Sequence, residues 1–289
     1  MTEAVRSASP TTSSAGASPR GGVAPGADKI RIEGLSYRYR RRGRKDVVAL
    51  DQVDLTVGRG EFLSVAGPSG CGKSTLLRVL AGLQRPTGGV VRINHEHRDR
   101  PLVAPVFQEY SIFPWRTVEA NVRLGLDAAG VDRSEARRRA QEWIERVGLA
   151  GFEKALPGNL SGGMKQRVAL ARAFVVEPEI LLMDEPFAAL DAQLRKVLQE
   201  ELLAIVREHT YTVFFVTHNL DEAILLSDRI ALMSARPGRV RRVVDVPFPR
   251  PRSADLRKDP GFVRLEEELW ADLRSDIEDG GAPAKEAVR

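Results

Sequence analysis

The chain has 289 residues, of which 43% are hydrophobic and 29% are charged, a balance typical of a folded protein with one large domain or two small ones. No apolar run approaches the roughly 20 residues that span a bilayer, and the single cysteine, Cys71, excludes an internal disulfide and fits a reducing cytosol. The net charge of +5 permits an anionic partner such as nucleic acid or a membrane surface.

The excess positive charge is concentrated in residues 38–45 and residues 236–252. Neither stretch alternates basic with aromatic residues in the way that a platform for single-stranded nucleic acid does. We therefore interpret the first stretch as a solvated turn and the second as a solvated, charged C-terminal segment.

The N-terminal part predicts a tail followed by short strands. Residues 1–28 are rich in Ser, Ala, Gly, Pro and Thr and lack the apolar core of a signal peptide, so we expect a disordered tail. Residues 29–33 and 51–57 alternate polar and apolar side chains, as strands with one buried face do, and the first basic stretch lies between them.

A glycine-rich stretch follows an apolar strand at residues 61–66 and precedes a helix at residues 75–81. Strand, glycine-rich turn and helix in this order are the context of a phosphate-binding loop. Successive N–H groups of such a loop curl into a concave nest that side chains would block, and the helix adds the positive end of its dipole. The residues predicted to bind nucleotide are Gly67, Pro68, Ser69, Gly70, Cys71, Gly72, Lys73, Ser74 and Thr75.

Three side chains of this loop carry specific expectations. Lys73 is expected to bring a mobile positive charge to the outer phosphates, and the Ser74 hydroxyl is placed to ligate Mg²⁺. Because Cys71 lies inside the loop, we expect alkylation of its thiol to inhibit the protein and bound nucleotide to protect it.

After strands predicted at residues 88–93 and 102–107, the chain changes to helical character. Asp132 and Glu135 have the spacing of a capping box ahead of an apolar stripe. We interpret residues 117–176 as an inserted helical subdomain. The stripe, which we expect to be core, consists of Ala136, Ala140, Trp143, Ile144 and Val147.

The second half alternates buried strands with helices. Residues 180–183 are all apolar, as expected for a strand inside a sheet with both faces covered, and an amphipathic helix follows at residues 192–209. The remaining predicted elements are strands at residues 212–217, 229–233 and 239–246, helices at 220–227 and 262–276, and a disordered end after residue 280.

Two carboxylates, Asp184 and Glu185, directly follow the strand at residues 180–183, at the sheet edge where ligands bind in such folds. Asp184 is predicted to hold Mg²⁺ through its water shell, and Glu185 to polarise an attacking water as general base. His218, at the end of another strand, would contact the γ-phosphate and hold Glu185 and the water in place. Gln108 would offer an amide oxygen to Mg²⁺ or to the water. Each residue alone is more often structural, and the phosphate loop upstream is what favours the functional interpretation.

The order and spacing of these motifs resemble those of an ABC transporter ATPase over about residues 30–246. The matching motifs are the Walker A loop at residues 67–74, the Q-loop at Gln108, the signature at Ser161, Gly162 and Gly163, the Walker B motif at Asp184 and Glu185, the D-loop at Asp191 and the H-loop at His218.

Two positions are less regular. Met164 stands where the family usually has Gln, and because it follows the Ser-Gly-Gly that meets phosphate, we expect it to tune the rate rather than abolish activity. Tyr39 stands where the family places an aromatic ring that stacks on adenine, and Tyr37 competes for that role.

The resemblance implies an α/β fold: a P-loop NTPase with a RecA-like core, an antiparallel β subdomain and the inserted helical subdomain. It places the ABC ATPase domain at residues 29–246, after the tail of residues 1–28. Residues 247–289 are then a C-terminal extension with one helix and a disordered end. ATP hydrolysis is the implied activity, with ATP and Mg²⁺ as the cofactors.

The resemblance also implies a head-to-tail homodimer, in which Ser161 and its helix close over the nucleotide held by Lys73 of the second copy and Asp191 links the two sites. It implies integral membrane permease subunits and, indirectly, a periplasmic or lipid-anchored solute-binding protein, with the chain at the cytoplasmic face of the cell (inner) membrane. A permease helix is expected to dock near residues 108–115. Phe113 and Trp115 are candidates for this surface, and subdomain core is an equally good interpretation of both.

A narrower similarity is to importer ATPases for nitrate, sulfonate, taurine and related compounds. It is carried by residues 107–118 and 121–126 and by the turn Ser-Ala-Arg-Pro-Gly-Arg of residues 234–239, which leads to residues 246–251. The alternative is a soluble ABC ATPase acting on nucleic acid or ribosomes. The basic balance favours that alternative, but the chain has neither a long coiled-coil insertion nor tandem ATPase halves, so no nucleic acid is expected. A non-hydrolysing regulatory module is disfavoured by the intact catalytic motifs.

Overall fold

The computed structural model describes residues 28–40, 43, 45–97, 99–188, 190–209 and 211–279. The predicted N-terminal tail, except for Asp28, and the predicted disordered end lie outside the described residues, as do residues 41, 42 and 44 of the first basic stretch. Asp28 belongs to the first strand, one residue earlier than the predicted domain boundary.

The described elements alternate in the order expected for an α/β protein. The strands are β1 (Asp28–Tyr39), β2 (Val47–Gly58), β3 (Phe62–Ala66), β4 (Gly88–Ile93), β5 (Val103–Val106), β6 (Ile180–Asp184), β7 (Thr212–Thr217), β8 (Arg229–Met233) and β9 (Val240–Asp245). The helices are α1 (Lys73–Leu80), α2 (Val118–Ala128), α3 (Arg133–Arg146), α4 (Gly162–Phe174), α5 (Ala192–His209), α6 (Leu220–Leu226) and α7 (Pro260–Asp279).

The larger sheet has the strand order β5-β6-β7-β3-β8-β9, parallel except for β9, which runs antiparallel to β8. Every residue of β3, β6 and β7 is buried, because helices cover both faces and apolar side chains are needed on each. The predicted interior position of residues 180–183 is confirmed, since β6 lies between β5 and β7. The carboxyl ends of β3, β6 and β7 therefore meet at one edge of the sheet.

A smaller antiparallel sheet, β2-β1-β4, packs over helix α1 on one face of the larger sheet. β1 continues beyond the predicted end at Glu33 to Tyr39, pairing Tyr37 with Leu50 and Tyr39 with Val47. The prediction stopped early because Gly34 interrupts the alternation. That glycine has a φ of 57° and lies at an irregularity in the register, which the strand passes through.

The opposite face of the larger sheet carries helices α2 to α6 around a second core. The predicted cap of α3 is confirmed: the Asp132 carboxylate accepts hydrogen bonds from the backbone N–H groups of Ser134 at 2.8 Å and Glu135 at 3.3 Å. Trp143 stacks on Phe174 of α4 with ring centroids 5.1 Å apart. The apolar stripe of α3 is core, as predicted, since all five of its members are buried.

Most of the second basic stretch is exposed, as expected, but Arg250 and Arg252 are half-buried because they bind groups around the end of α6. Arg252 donates hydrogen bonds to the carbonyl oxygens of Ile224, Leu225 and Ser227, and Arg250 forms an ion pair with Asp228 at 3.0 Å. Burial, and secondarily the charge of Arg250, lowers the pKa of Arg252 to about 10. Cations at a helix C-terminus are favourable because they satisfy orphan carbonyls and oppose the dipole.

Helix α7 completes this segment by packing an apolar face against α6 and the core. It extends the predicted helix by two residues at its N-terminal end and three at its C-terminal end. In the part of the chain that the structure covers, no helix is long and apolar enough to cross a membrane. The buried residues of the α7 face are Phe262, Leu265, Leu269 and Leu273.

Candidate active site

A cleft of about 380 Å³ opens at the edge of the larger sheet where β3 and β6 end. Tyr39, at the end of β1, and Gln108, after β5, form part of its wall, and Glu185 lies after β6. The structure therefore brings together residues that lie far apart in the sequence. The loop residues that line the cleft are Ser69, Gly70, Gly72, Lys73, Ser74 and Thr75.

The glycines of the phosphate loop are required partly for reasons that the sequence did not reveal. A Cβ on Gly67 would lie 2.7 Å from the Met233 carbonyl oxygen, and one on Gly72 would lie 2.7 Å from that of Ala49. Gly72 also has a φ of 111° as the residue that precedes α1. At these two positions a side chain would collide with the main chain of neighbouring strands, whereas the prediction invoked only access to phosphate.

The Lys73 side chain is held more firmly than expected, since the sequence analysis predicted a mobile positive charge. Its ammonium group donates hydrogen bonds to the carbonyl oxygens of Gly67 at 2.8 Å and Pro68 at 3.0 Å, and the residue is only 5% exposed. A third, longer contact of 3.9 Å joins the ammonium to the Cys71 sulfur, so all of these bonds serve the loop itself. The loop itself therefore holds the Lys73 ammonium at the cleft, without help from a ligand.

The Cys71 thiol faces the core rather than the cleft, since the residue is 1% exposed and packs in the cluster beneath the smaller sheet. Burial raises the pKa of this thiol, and the nearby charge of Lys73 only partly opposes that rise. The structure therefore does not support the expectation that bound nucleotide shields the Cys71 thiol. Only the main chain of Cys71 belongs to the loop.

We accordingly expect iodoacetamide to label native Cys71 at least roughly tenfold more slowly than the unfolded chain, with or without nucleotide, because only an exposed thiolate reacts. Mass spectrometry of samples taken over time measures this directly, since the chain has a single cysteine. The same reaction in denaturant is the control. Equally fast labelling of the native protein would show that the loop opens and exposes the thiol.

Ser74 lines the cleft and contacts Asp184, which does not itself line it. The Ser74 hydroxyl donates a hydrogen bond of 3.0 Å to Asp184 Oδ1. Burial raises the pKa of Asp184, the Ser74 hydrogen bond opposes that rise, and the neighbouring charge of Glu185 adds to it. A hydroxyl and a desolvated carboxylate side by side are oxygen ligands of the kind that Mg²⁺ prefers, and a cation there would relieve the cost of burying the charge.

Glu185 and His218 form a second pair. Glu185 Oε2 lies 3.1 Å from His218 Nδ1, and the Glu185 side chain is 17% exposed. The Glu185 backbone has a φ of 46°, which is uncommon for a residue with a side chain, and its N–H donates to the Val216 carbonyl oxygen at 2.9 Å. Neighbouring strand β7 thus sets the direction of the carboxylate.

Glu222 is a buried carboxylate that the sequence analysis did not single out. It accepts hydrogen bonds from the Thr217 hydroxyl at 2.9 Å and from the Gln199 amide at 3.2 Å, and its own N–H donates to the Asn219 side chain. Burial raises the pKa of Glu222, and the bond from Thr217 opposes that rise. The residues on both sides of His218 are therefore anchored. Asn219 followed three residues later by Glu222 has capping-box spacing, a signal that could have revealed this anchor.

The structure distinguishes between the two tyrosines. Tyr39 lines the cleft, and its hydroxyl lies 3.0 Å from Thr75 Oγ1. Tyr37 packs edge to face on Tyr39, with ring centroids 4.9 Å apart, and contributes to the core of the smaller sheet. Of the two, Tyr39 is placed to meet a ligand.

The predicted signature and D-loop residues do not line the cleft of this chain. Ser161 is exposed and caps α4 by accepting a hydrogen bond of 3.3 Å from the Met164 N–H. Gly163 approaches α5 so closely that a Cβ would lie 2.0 Å from Leu194 Cδ2. Asp191 accepts from the N–H groups of residues 193 and 194 at the start of α5, and Ala189 lies outside the described residues. Within one chain, helix capping therefore accounts for Ser161 and Asp191, and close packing accounts for Gly163.

The cleft also contains Arg236, which the sequence analysis treated only as part of a turn. Its guanidinium donates a hydrogen bond of 3.1 Å to the Gly70 carbonyl oxygen. No local pattern could have revealed a contact between residues so far apart.

Comparison with known proteins supports the assignment of this cleft. A family model described as ABC transporter matches residues 50–188. An uncharacterized ABC transporter ATP-binding protein of Methanocaldococcus jannaschii is 50% identical over 251 residues, which cover 86% of this chain and 92% of that protein. The aliphatic sulfonates import ATP-binding protein SsuB of Bacillus licheniformis is 48% identical over 219 residues, covering 74% of this chain and 85% of that protein.

A solved structure agrees with these relatives. It is the dimeric, post-hydrolysis state of an ATP-binding cassette bound to ADP and Pi, with a TM-score of 0.68 and 33% identity, covering 76% of this chain and 99% of that one. The fold and the cleft are those of an ABC-type ATPase. The chain belongs to the family of ABC transporter ATP-binding proteins.

Proposed function

We propose that this chain binds and hydrolyses ATP as a subunit of an ABC import system and so powers the uptake of a small solute of the nitrate, sulfonate or taurine class. The observation that carries the proposal is one cleft lined by phosphate-loop residues and Glu185, with Asp184 hydrogen-bonded to Ser74 of the lining and His218 paired with Glu185. The similarity to an aliphatic sulfonates import protein supports the solute class.

In this proposal the loop N–H groups and Lys73 bind the phosphates of ATP, while the Tyr39 ring stacks on adenine. Ser74, Asp184 and Gln108 would hold Mg²⁺, which when bound neutralises phosphate charge. Among the described residues the buried Asp184 carboxylate has one side-chain hydrogen-bond partner, the Ser74 hydroxyl, which fits this role.

Glu185 acts as general base toward the attacking water, and His218 holds the carboxylate from its Nδ1 side. Two structural features support this division of roles. The strained backbone of Glu185 fixes the direction of its side chain, and the buried Thr217–Glu222 bond fixes the segment that carries His218. A base that is already oriented loses little freedom in the reaction.

A head-to-tail homodimer completes the site. Ser161 is exposed at the start of α4 and lies outside the cleft of its own chain, so a second copy is needed to bring a signature motif to each nucleotide. A serine-capped helix N-terminus with two glycines suits an anionic group. Asp191 would then connect the two nucleotides across the interface, and loss of phosphate would release the closed state.

The permease would dock on a groove of about 490 Å³ between residues 108–112 and 157–158. Trp115, beside this groove, is 73% exposed, which favours a docking role over a core role. Phe113 is half-buried. Its backbone N–H donates a hydrogen bond to the Asn121 side-chain oxygen, and its carbonyl oxygen accepts one from the Asn121 side-chain amide. The rings of Phe113 and Trp115 lie 5.5 Å apart, so Phe113 would support the indole. Docking would place the chain at the cytoplasmic face of the membrane, with a solute-binding protein acting on the other side.

Trp115→Ala is therefore expected to abolish recovery of the chain with membranes while leaving its melting temperature within about 2 °C, since a surface change removes little folding energy. Trp270→Ala on α7, where the indole is 43% exposed, is the matched control and should leave assembly intact. If the unsubstituted chain, Trp115→Ala and Trp270→Ala were recovered with membranes equally well, the docking surface would be refuted.

The whole proposal is tested by purifying tagged Glu185→Gln protein from detergent-solubilised membranes of its own host in the presence of ATP. The expected result is a polytopic membrane protein recovered in near-equal amount. Recovery only from the soluble fraction with nucleic acid or ribosomal proteins attached would support the alternative function instead and would leave the ATPase assignment standing.

A further inference from the structure

The turn at residues 234–239 packs directly onto the phosphate loop. The Gly238 N–H donates to the Ala49 carbonyl oxygen at 2.9 Å, and the Asp51 N–H donates to the Gly238 carbonyl oxygen at 3.0 Å. A Cβ on Gly238 would lie 2.0 Å from the Cys71 carbonyl oxygen. The turn is thus fixed against both β2 and the loop, so the side chains it carries have defined positions.

The two arginines of this turn point to different partners. Arg239 is held away from the cleft by the carboxylate of Asp51, to which its Nε donates at 3.0 Å. Arg236 lines the cleft, is exposed, and donates from Nη2 to the Gly70 carbonyl oxygen at 3.1 Å. Within the described ranges Arg236 has no carboxylate partner, so most of its five N–H groups remain available.

The other charges of the cleft are already engaged. Lys73 donates hydrogen bonds to two carbonyl oxygens of the loop, and Glu185 lies against His218. Of the two described cations that line the cleft, Arg236 therefore has the larger unused donor capacity. A planar guanidinium matches phosphate oxygens in a bidentate geometry, which makes phosphate its best-suited ligand.

We propose that Arg236 is a phosphate-binding residue of the nucleotide site, in which the Gly70 carbonyl oxygen orients the guanidinium toward the phosphate chain of ATP and ADP. The inference rests on the proposed function, since it assumes that the cleft binds nucleotide. It also gives the Arg-Pro-Gly turn, so far only a mark of similarity, a role in that site.

The test compares Arg236→Gln, Arg236→Lys and Arg239→Gln with the unsubstituted chain by titration of fluorescent ATP and ADP analogues. Arg236→Gln should bind both nucleotides roughly tenfold more weakly, in line with the loss of charge-assisted hydrogen bonds. Arg236→Lys should recover part of this loss because it keeps the charge. Arg239→Gln alters the same turn outside the cleft and should leave affinity unchanged.

Two readouts separate a phosphate contact from a structural effect. Competition by adenosine, which has no phosphates, should be the same for Arg236→Gln and the unsubstituted chain. Thermal unfolding without nucleotide should also be unchanged for Arg236→Gln, because the side chain is exposed.

Several results would overturn the inference. ATP and ADP affinities unchanged in Arg236→Gln, an equal loss in Arg239→Gln, or a matching loss for adenosine would each refute a phosphate contact. If the unsubstituted chain failed to bind ATP, the proposed function would fall, and the inference with it. Tight binding of ATP by the unsubstituted chain alongside an unaffected Arg236→Gln protein would remove the inference alone.

Discussion

Glu185→Gln is expected to lower ATP hydrolysis by about a hundredfold or more while changing ATP affinity by no more than about twofold. The amide has nearly the shape of the carboxylate, so the position beside His218 Nδ1, 3.1 Å away in the native chain, can still be filled. It cannot take a proton from water, so the reaction loses its base. Phosphate release under saturating ATP measures the first effect, and nucleotide titration the second.

The matched control for this substitution is Glu200→Gln, which removes an exposed carboxylate from α5 outside the cleft. It should hydrolyse ATP at the native rate. Glu185→Gln should also run as a dimer on size exclusion when ATP is present, because the nucleotide is retained between the two copies. Normal turnover in Glu185→Gln would show that another group acts as base.

Lys73→Ala is expected to weaken ATP binding about 10- to 100-fold, as loss of a charge-assisted hydrogen bond to phosphate does. The substitution also leaves the carbonyl oxygens of Gly67 and Pro68 without the ammonium that now binds them, so the loop loses an internal brace. Fluorescence titration with ATP measures the affinity, and thermal unfolding without nucleotide measures the brace.

Lys196→Ala on the exposed side of α5 is the control for Lys73→Ala and should leave both quantities unchanged. A Lys73→Ala protein with native ATP affinity would contradict the assignment of Lys73 to the phosphates. A lowered melting temperature with native affinity would mean that the side chain only braces the loop.

Much of the fold could be predicted because the apolar composition of its central strands indicates that they are buried. β3, β6 and β7 consist almost wholly of apolar residues, and each was predicted to within one residue. The end of β1 was predicted too early because the strand has an irregularity at Gly34 that breaks the sequence alternation. Pairing with β2 continues beyond it to Tyr39. The arginines near residue 250 were wrongly expected to be solvated, since the carbonyl groups that bind them belong to α6 and carry no sequence signal.

The site divides along a similar line. Residues of contiguous motifs, such as Ser74 and Asp184, were predicted because the chemistry of a phosphate loop and a carboxylate strand end is local. Arg236 was missed because it reaches Gly70 from a position 166 residues later in the chain. The reason for glycine at residue 67 was also missed, since the main-chain atom that excludes a side chain there comes from β8.

The strand order of the larger sheet has a consequence for how the protein is made. β3 lies between β7 and β8, so it gains its first neighbour only after residue 217 has left the ribosome and its second only after residue 233. The smaller sheet and α1 can form earlier, from residues 28–93. The parallel pairing of β3 with β7 and β8 is slower, because the paired strands lie far apart in the sequence. The turn that covers the phosphate loop arrives later still. The nucleotide cleft is therefore among the last parts of the molecule to assemble, and a nascent chain that ends before residue 239 lacks a complete one.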